Sequence, residues 1–332
     1  MTSPRRLMLS QTMLDLLGTQ ILQHAAGHAI ELVSIESAVA LQRRDIDAAF
    51  ISREVTGSST KHEVHAELQA CYDLMLANPG LQWVHIHSAG ADRPVYQSLL
   101  QRGVQITTSS GANARVVAAM ALAGLLALNK RFPMLWAQQQ RHEWRPLLGP
   151  GRMPRDLPGQ TATIVGWGPI GQALGQLLQT LGLNVIAVRT RQTPSQGGIE
   201  MVQFDQLNMV LPRTDWLILA CPLTDTTHGL VNAAALQALP QGAHLINVAR
   251  GEVVVQNDLM DVLQSGHLGG AFLDVFEHEP LPADSPLWTL PNVMVTPHAA
   301  GHSDGNAGRV NRMFLDGLQR WLLGQALHQL AQ

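Results

Sequence analysis

Residues 161–188 read "TATIVGWGPIGQALGQLLQTLGLNVIAV". A β-rich run at 161–165 meets Gly166, Gly168 and Gly171, then an apolar-periodic stretch, then a second apolar run ending at Val188. Strand, glycine turn, helix and strand in that order predict a βαβ unit. The glycines let the chain turn tightly, let an anion approach the backbone, and let the helix pack against the strand. The free N–H groups and dipole of the new helix then point at that anion. The ligand this arrangement takes is a dinucleotide held by its pyrophosphate, with Trp167, Pro169 and Ile170 completing the loop.

At the end of the second strand, an Asp or Glu commonly accepts hydrogen bonds from the adenosine ribose. Here Arg189, Thr190 and Arg191 stand in its place. A carboxylate would repel a 2′-phosphate, whereas a guanidinium grips one with two hydrogen bonds. The expected cofactor is therefore NADP, with NAD the alternative if the two arginines point away.

Outward from this unit, short apolar runs alternate with helical spacing. Strands are expected at 5–10, 29–35, 45–52, 81–88 and 104–110, and again at 161–165, 184–188, 214–220, 243–249, 269–276 and 292–298. A closing helix is expected near 303–325. Such alternation implies parallel crossovers, so the fold class is α/β with two doubly wound parallel-sheet domains. The run "VVAAMALAGLLAL" (116–128) suits a helix buried on all sides. Residues 131–159, rich in Pro, Trp and Gly, read as a connection.

Composition narrows the partners. With 332 residues and 46% hydrophobic content the chain can bury two cores. Its longest apolar run is too short to cross a bilayer, and Gln11 and Asp15 interrupt the first apolar stretch, so a soluble cytoplasmic protein is expected, with no membrane partner. A net charge of −3 without a basic stripe argues against nucleic acid. Cys71 and Cys221 form no redox-like or metal-like pair. Lys61 and Lys130 are the only lysines, and neither follows a glycine loop, which excludes a phosphate-loop triphosphatase.

Three polar residues fall at ends of expected strands, where open α/β sheets collect ligands. These are Arg250 in "NVARGE", Glu279 in "LDVFEHEP" and His298 in "TPHAAG". Singly, each is an ordinary loop residue or structural histidine. Together they suit a 2-ketoacid: an arginine grips the carboxylate and polarises the neighbouring carbonyl, and a carboxylate-paired histidine donates the proton.

The segments "GWGPIG", "CPLTDTTHGLV" (221–231), "LINVARGEVV" (245–254), "LDVFEHEPLP" (273–282), "SPLW" (285–288) and "NVMVTPHAAG" (292–301) resemble the D-isomer-specific 2-hydroxyacid dehydrogenase family. The resemblance runs through nearly all of 104–302, in order. It implies a Rossmann-type cofactor domain (111–302) inserted into a flavodoxin-like catalytic domain (1–110 plus 303–332), and a homodimer assembled through the cofactor domain. By the same resemblance Arg250 binds substrate, His298 is the acid/base and Glu279 its partner. Asp274 orients the nicotinamide carboxamide, while Pro222, Val248 and Ala249 line the cofactor. In "HSAGAD" (87–92), Ala89 and Gly90 hold the substrate carboxylate through backbone N–H groups.

One departure is Val117, Ala118 and Ala119, where the family often has Val-Ala-Glu. The stretch "WAQQQRHEW" (136–144) resembles the glyoxylate and hydroxypyruvate reductase branch, in which this connection can approach the partner's active site. The expected activity is thus reduction of a small 2-ketoacid, glyoxylate or hydroxypyruvate, with NADPH. A nucleotide-sensing corepressor is disfavoured by the compact chain, and a formate dehydrogenase by the acid at Glu279. A phosphoglycerate dehydrogenase with regulatory extensions is disfavoured because the chain stops soon after its last helix. His85, His87, His298 and His302 lack the carboxylate or cysteine spacing of a metal site, so no metal is expected.

Overall fold

The computed structural model describes residues 3–25, 27–59, 63–149, 151–190 and 197–331. Arg191 lies outside them. The chain divides into two compact units, Met1–Asn113 with Ser303–Gln332, and Ala114–His302.

Among the described residues the first unit holds five parallel strands, β1 (Arg5–Leu9), β2 (Ile30–Ser34), β3 (Ala48–Ile51), β4 (Trp83–Ile86) and β5 (Gln105–Thr108), in the order β2-β1-β3-β4-β5. Their short apolar runs are covered on both faces, as parallel crossovers demand. One face is sealed by the helix Asn306–Leu322, which returns from the end of the chain. Its Phe314 stacks on Phe50 at 4.3 Å and on Trp83 at 5.9 Å, and Trp83 also stacks on Trp321 at 5.7 Å. Each aromatic so buried contributes about 1.5–3 kcal/mol by removal of apolar surface from water. Gly317 permits this fit, because a Cβ there would lie 3.0 Å from the Trp83 ring.

The second unit holds seven parallel strands among the described residues: β6 (Thr161–Val165), β7 (Asn184–Arg189), β8 (Glu200–Gln203), β9 (Trp216–Leu219), β10 (His244–Asn247), β11 (Gly270–Leu273) and β12 (Val293–Val295). Their order is β12-β11-β10-β9-β6-β7-β8. From β6 the chain builds outward to β8 on one side, then crosses to β9 and builds to β12 on the other. That reversal, between β6 and β9, opens a crevice at the carboxyl ends of the strands. The glycine loop begins there.

Three features differ from the sequence expectation. Strand β8 was not anticipated, because "EMVQ" is an edge strand in which only Val202 is buried. The segment read as a connection begins with a helix, Phe132–Gln140, bent by 67° from the helix Ala114–Asn129. That earlier helix is not buried all round, since Arg115, Ala119 and Ala123 keep one stripe exposed. No single described helix is long and apolar enough to cross a membrane.

Each sheet holds a neutral histidine, buried on β4 and partly buried on β10. His85 on β4 is 2% exposed, between Thr107 Oγ1 at 2.8 Å and Ser109 Oγ at 3.1 Å. Burial, with a smaller effect of His87, pushes it down to about 3. His244 stacks on Trp216 at 4.3 Å, and burial followed by the charge of Arg131 pushes it down to about 4. Above pH 6.5 both residues are neutral in folded and unfolded chains and add no pH dependence. Below 6.5 the unfolded chain takes up protons that the folded one refuses, so stability falls as pH falls toward 4. By pH 5 each histidine should cost about 2 kcal/mol. Thermal melts should therefore show a falling midpoint from pH 7 to pH 5, and a flat profile would contradict this account.

Candidate functional site

The crevice starts from the glycines. Gly166 has φ +102°, and a Cβ on it would sit 2.6 Å from the Cys221 backbone nitrogen. A Cβ on Gly171 would come 2.1 Å from the Gly166 carbonyl oxygen, so loop and helix can close up only without side chains. Gly168 does the opposite. It is the N-cap of the helix Pro169–Thr180, no side chain caps it, and nothing lies within 4 Å of where its Cβ would be. A helix start with uncapped N–H groups facing open space fits a dinucleotide pyrophosphate. Trp167 is part of the loop only through its backbone, for its ring folds over Gly175, where a Cβ would meet it at 2.4 Å. Gly175 was not singled out from sequence, because its need for space comes from a ring eight residues earlier.

Strand β9 delivers Cys221 and Pro222 to the same crevice. The Pro222 carbonyl accepts a hydrogen bond from Thr227 Oγ1 at 2.7 Å, and that hydroxyl also accepts from Thr224 N at 2.8 Å. This fixes the turn "CPLTDTT". Burial pushes the Cys221 thiol up to about 12, so it is a neutral packing group rather than a nucleophile. At the far side of the crevice β7 ends in Arg189, followed by Thr190. Arg189 pairs in register with Gln203 of β8, and Gln203 Nε2 donates to the Thr190 carbonyl at 3.3 Å.

Arg250 follows β10 on a loop folded by Asn247, which is 1% exposed. Asn247 Oδ1 accepts from Ala249 N at 3.0 Å and its Nδ2 donates to the Arg250 carbonyl at 3.1 Å. Val248 and Ala249 are buried within that loop. Gly251 comes next, and a Cβ there would lie 1.8 Å from the Phe276 carbonyl carbon. The backbone after Arg250 thus presses directly on the backbone leading to Glu279. Sequence reasoning passed over Asn247 and Gly251, although both lie in the "NVARGE" segment it singled out.

Strand β11 ends at Asp274, 2% exposed. Its carboxylate accepts from Thr296 Oγ1 at 2.5 Å, Ala299 N at 2.8 Å and Ala300 N at 2.9 Å. Its carbonyl accepts from His298 N at 2.9 Å. These four bonds hold His298 at φ +51°, a left-handed conformation that a residue with a side chain keeps only when its surroundings impose it. His298 Nδ1 lies 2.7 Å from Glu279 Oε2. A carboxylate only accepts, so Nδ1 carries the hydrogen, and the imidazole remains half-exposed. Glu279 Oε1 is held by Phe276 N at 3.1 Å. Burial alone would raise the Glu279 carboxyl, but the hydrogen bond and charge of His298, the Phe276 N–H and the charge of Arg250 outweigh it and keep it below its ordinary value. An ionised carboxylate, an exposed imidazole and a nearby guanidinium can together donate a proton to an oxyanion and steady it.

In the first unit, the loop after β4 carries Ala89 and Gly90. Ser88 Oγ donates to the Gly90 carbonyl at 2.8 Å, and His87 Nε2 lies 3.1 Å from Thr56 Oγ1. His85 and His87 are thus engaged with hydroxyls. Among the described residues, no three His, Cys, Asp or Glu side chains converge as a metal site.

Residues 122–300 match the family model described as "D-isomer specific 2-hydroxyacid dehydrogenase, NAD binding domain". A glyoxylate reductase of Korarchaeum cryptofilum is 31% identical over 253 residues, 75% of each chain. A D-3-phosphoglycerate dehydrogenase of Mycobacterium tuberculosis is 34% identical over 229 residues, which are 68% of this chain and 42% of that one. The crystal structure of an NADPH-dependent glyoxylate/hydroxypyruvate reductase from Sinorhizobium meliloti, in complex with NADP and sulfate, is 27% identical. It superimposes with a TM-score of 0.73 over 98% of both chains. The chain belongs to the D-isomer specific 2-hydroxyacid dehydrogenase family. It is an NAD(P)-dependent oxidoreductase of small 2-hydroxyacids.

The contact at Gly251 gives a direct test. Gly251→Ala must push the Arg250 and Glu279 segments apart, and a displacement of about 1 Å at a reacting site costs about 100-fold in rate. A variant with native circular dichroism should lose kcat/KM by that order. Unchanged turnover would mean that the loops yield freely.

Proposed function

We propose that this enzyme reduces small 2-ketoacids with NADPH, glyoxylate or hydroxypyruvate being the preferred type. The observation that carries the proposal is the 2.7 Å pair of His298 and Glu279, set beside Arg250 at the carboxyl end of the second unit's sheet. The cofactor, when bound, supplies a hydride to the ketone carbon. His298 donates its proton from Nε2 to the oxygen as charge develops there. Arg250 holds the carboxylate and steadies that oxygen, and Glu279 steadies the imidazolium that His298 presents. In the oxidative direction His298 takes the proton back.

In this reading the unit Ala114–His302 holds the cofactor, and Ala89 and Gly90 bind substrate. The loop 166–171 takes the pyrophosphate, Pro222, Val248 and Ala249 line the nicotinamide half, and Arg189 and Thr190 meet the 2′-phosphate. A carboxylate offers about four acceptor positions. Asp274 uses three of them within the His298 loop, leaving one for the nicotinamide carboxamide. NADPH is supported by the missing acid after β7 and by the NADP bound to the Sinorhizobium meliloti enzyme. A homodimer is supported by Trp136 and Trp144, 52% and 95% exposed in the segment after the helix Ala114–Asn129. Sedimentation should give twice 36.0 kDa.

The test is a panel of glyoxylate, hydroxypyruvate, pyruvate and bulkier 2-ketoacids, each assayed with NADPH and with NADH. The expected result is highest kcat/KM for glyoxylate or hydroxypyruvate, with NADPH preferred at least about tenfold, the order one lost or gained phosphate contact produces. Equal use of both cofactors, or preference for a bulky ketoacid, would overturn the proposal.

A further inference from the structure

Strand β8 adds a residue to the cofactor's adenosine end. In a parallel ladder, residues paired in register project side chains to the same side, so Gln203 stands beside Arg189 where the two strands end. Its amide is oriented from both ends. The Gln203 side chain accepts from the Gln206 backbone N–H in a reciprocal capping box, and Nε2 donates to the Thr190 carbonyl at 3.3 Å. The one acid on β8, Glu200, sits at the opposite end of the strand. Both its oxygens are taken by Arg213, at 2.6 and 2.9 Å. The corner of the sheet formed by Arg189, Thr190 and Gln203 therefore presents a neutral amide in place of a carboxylate on the neighbouring strand, as β7 presents arginine in place of one.

We propose that Gln203 is a second cofactor-specificity residue: it holds the Thr190 carbonyl and keeps the position paired with Arg189 uncharged, so that a 2′-phosphate beside Arg189 meets no carboxylate from its partner on β8. This rests on the proposed NADP reading. Discrimination is then read from two strands, and an acid on β8 would reverse it as an acid on β7 would.

The experiment is calorimetric binding of NADP⁺ and NAD⁺ to the full chain and to Gln203→Glu, Gln203→Lys and Arg189→Asp. Gln203→Glu, nearly isosteric, removes the donor to Thr190 and adds a charge facing the phosphate. It should weaken NADP⁺ at least about tenfold and NAD⁺ less than about threefold. Gln203→Lys cannot accept in the capping box but is attractive to phosphate, so it should keep NADP⁺ within about threefold of the native value. A merely structural role through the Thr190 bond would lower affinity for both cofactors equally in Gln203→Glu, and that result overturns the proposal. Loss of the NADP⁺ preference in Arg189→Asp without loss in Gln203→Glu overturns the role of Gln203 alone. No change of preference in Arg189→Asp overturns the NADP reading itself.

Discussion

The buried carboxylate of Asp274 is the constraint on which the catalytic geometry depends. Four hydrogen bonds accepted by this one residue close the loop 296–300 and hold His298 in a left-handed backbone. Such a conformation costs about 1 kcal/mol or more for a residue with a Cβ, so the loop would relax if the bonds were lost. In exchange the imidazole is aimed: Nδ1 toward Glu279 and Nε2 away from it. The imidazole is thus exposed, yet fixed through its backbone and through Nδ1.

The same economy runs through the rest of the crevice. Gly166, Gly171 and Gly251 each lie where backbone meets backbone too closely for a side chain. The first two bring a helix start to the switch point of the sheet, and the third presses the Arg250 loop onto the segment that ends at Glu279. Charge is handled by placement as well. Glu279 stays ionised despite partial burial because His298, an amide and Arg250 surround it, whereas at His85 and His244 burial outweighs any compensation of a proton and both stay neutral. Acid therefore acts on the cores through the histidines before it discharges Glu279.

Much of this was legible in the sequence, because the signals are local. Alternating apolar runs, glycine punctuation and the order of Arg250, Glu279 and His298 need no knowledge of what lies opposite. Strand β8 escaped because an edge strand buries one side chain and need not alternate. Gly175 and Gly251 escaped for another reason: their roles are set by the Trp167 ring and the Phe276 backbone, which they meet only in the fold. Asn247 acts locally, on Ala249 and Arg250, but the residue type alone does not name those bonds. Asp274 lies between the two cases: its position after "FL" marks a strand end, but only the structure reveals that its carboxylate is spent mainly on the loop carrying His298.

The central claim is that His298 is the proton donor and that the fold exists to aim it. His298→Ala removes the imidazole and leaves the glycine loop, Arg189 and the Asp274 carboxylate in place. Single-turnover and steady-state rates of ketoacid reduction, measured beside the dissociation constant for NADP⁺, separate chemistry from binding. The account predicts a fall in kcat of about 10²–10⁴ with cofactor affinity nearly unchanged. A variant that keeps native kcat, or one that loses cofactor affinity and rate in equal measure, would contradict it.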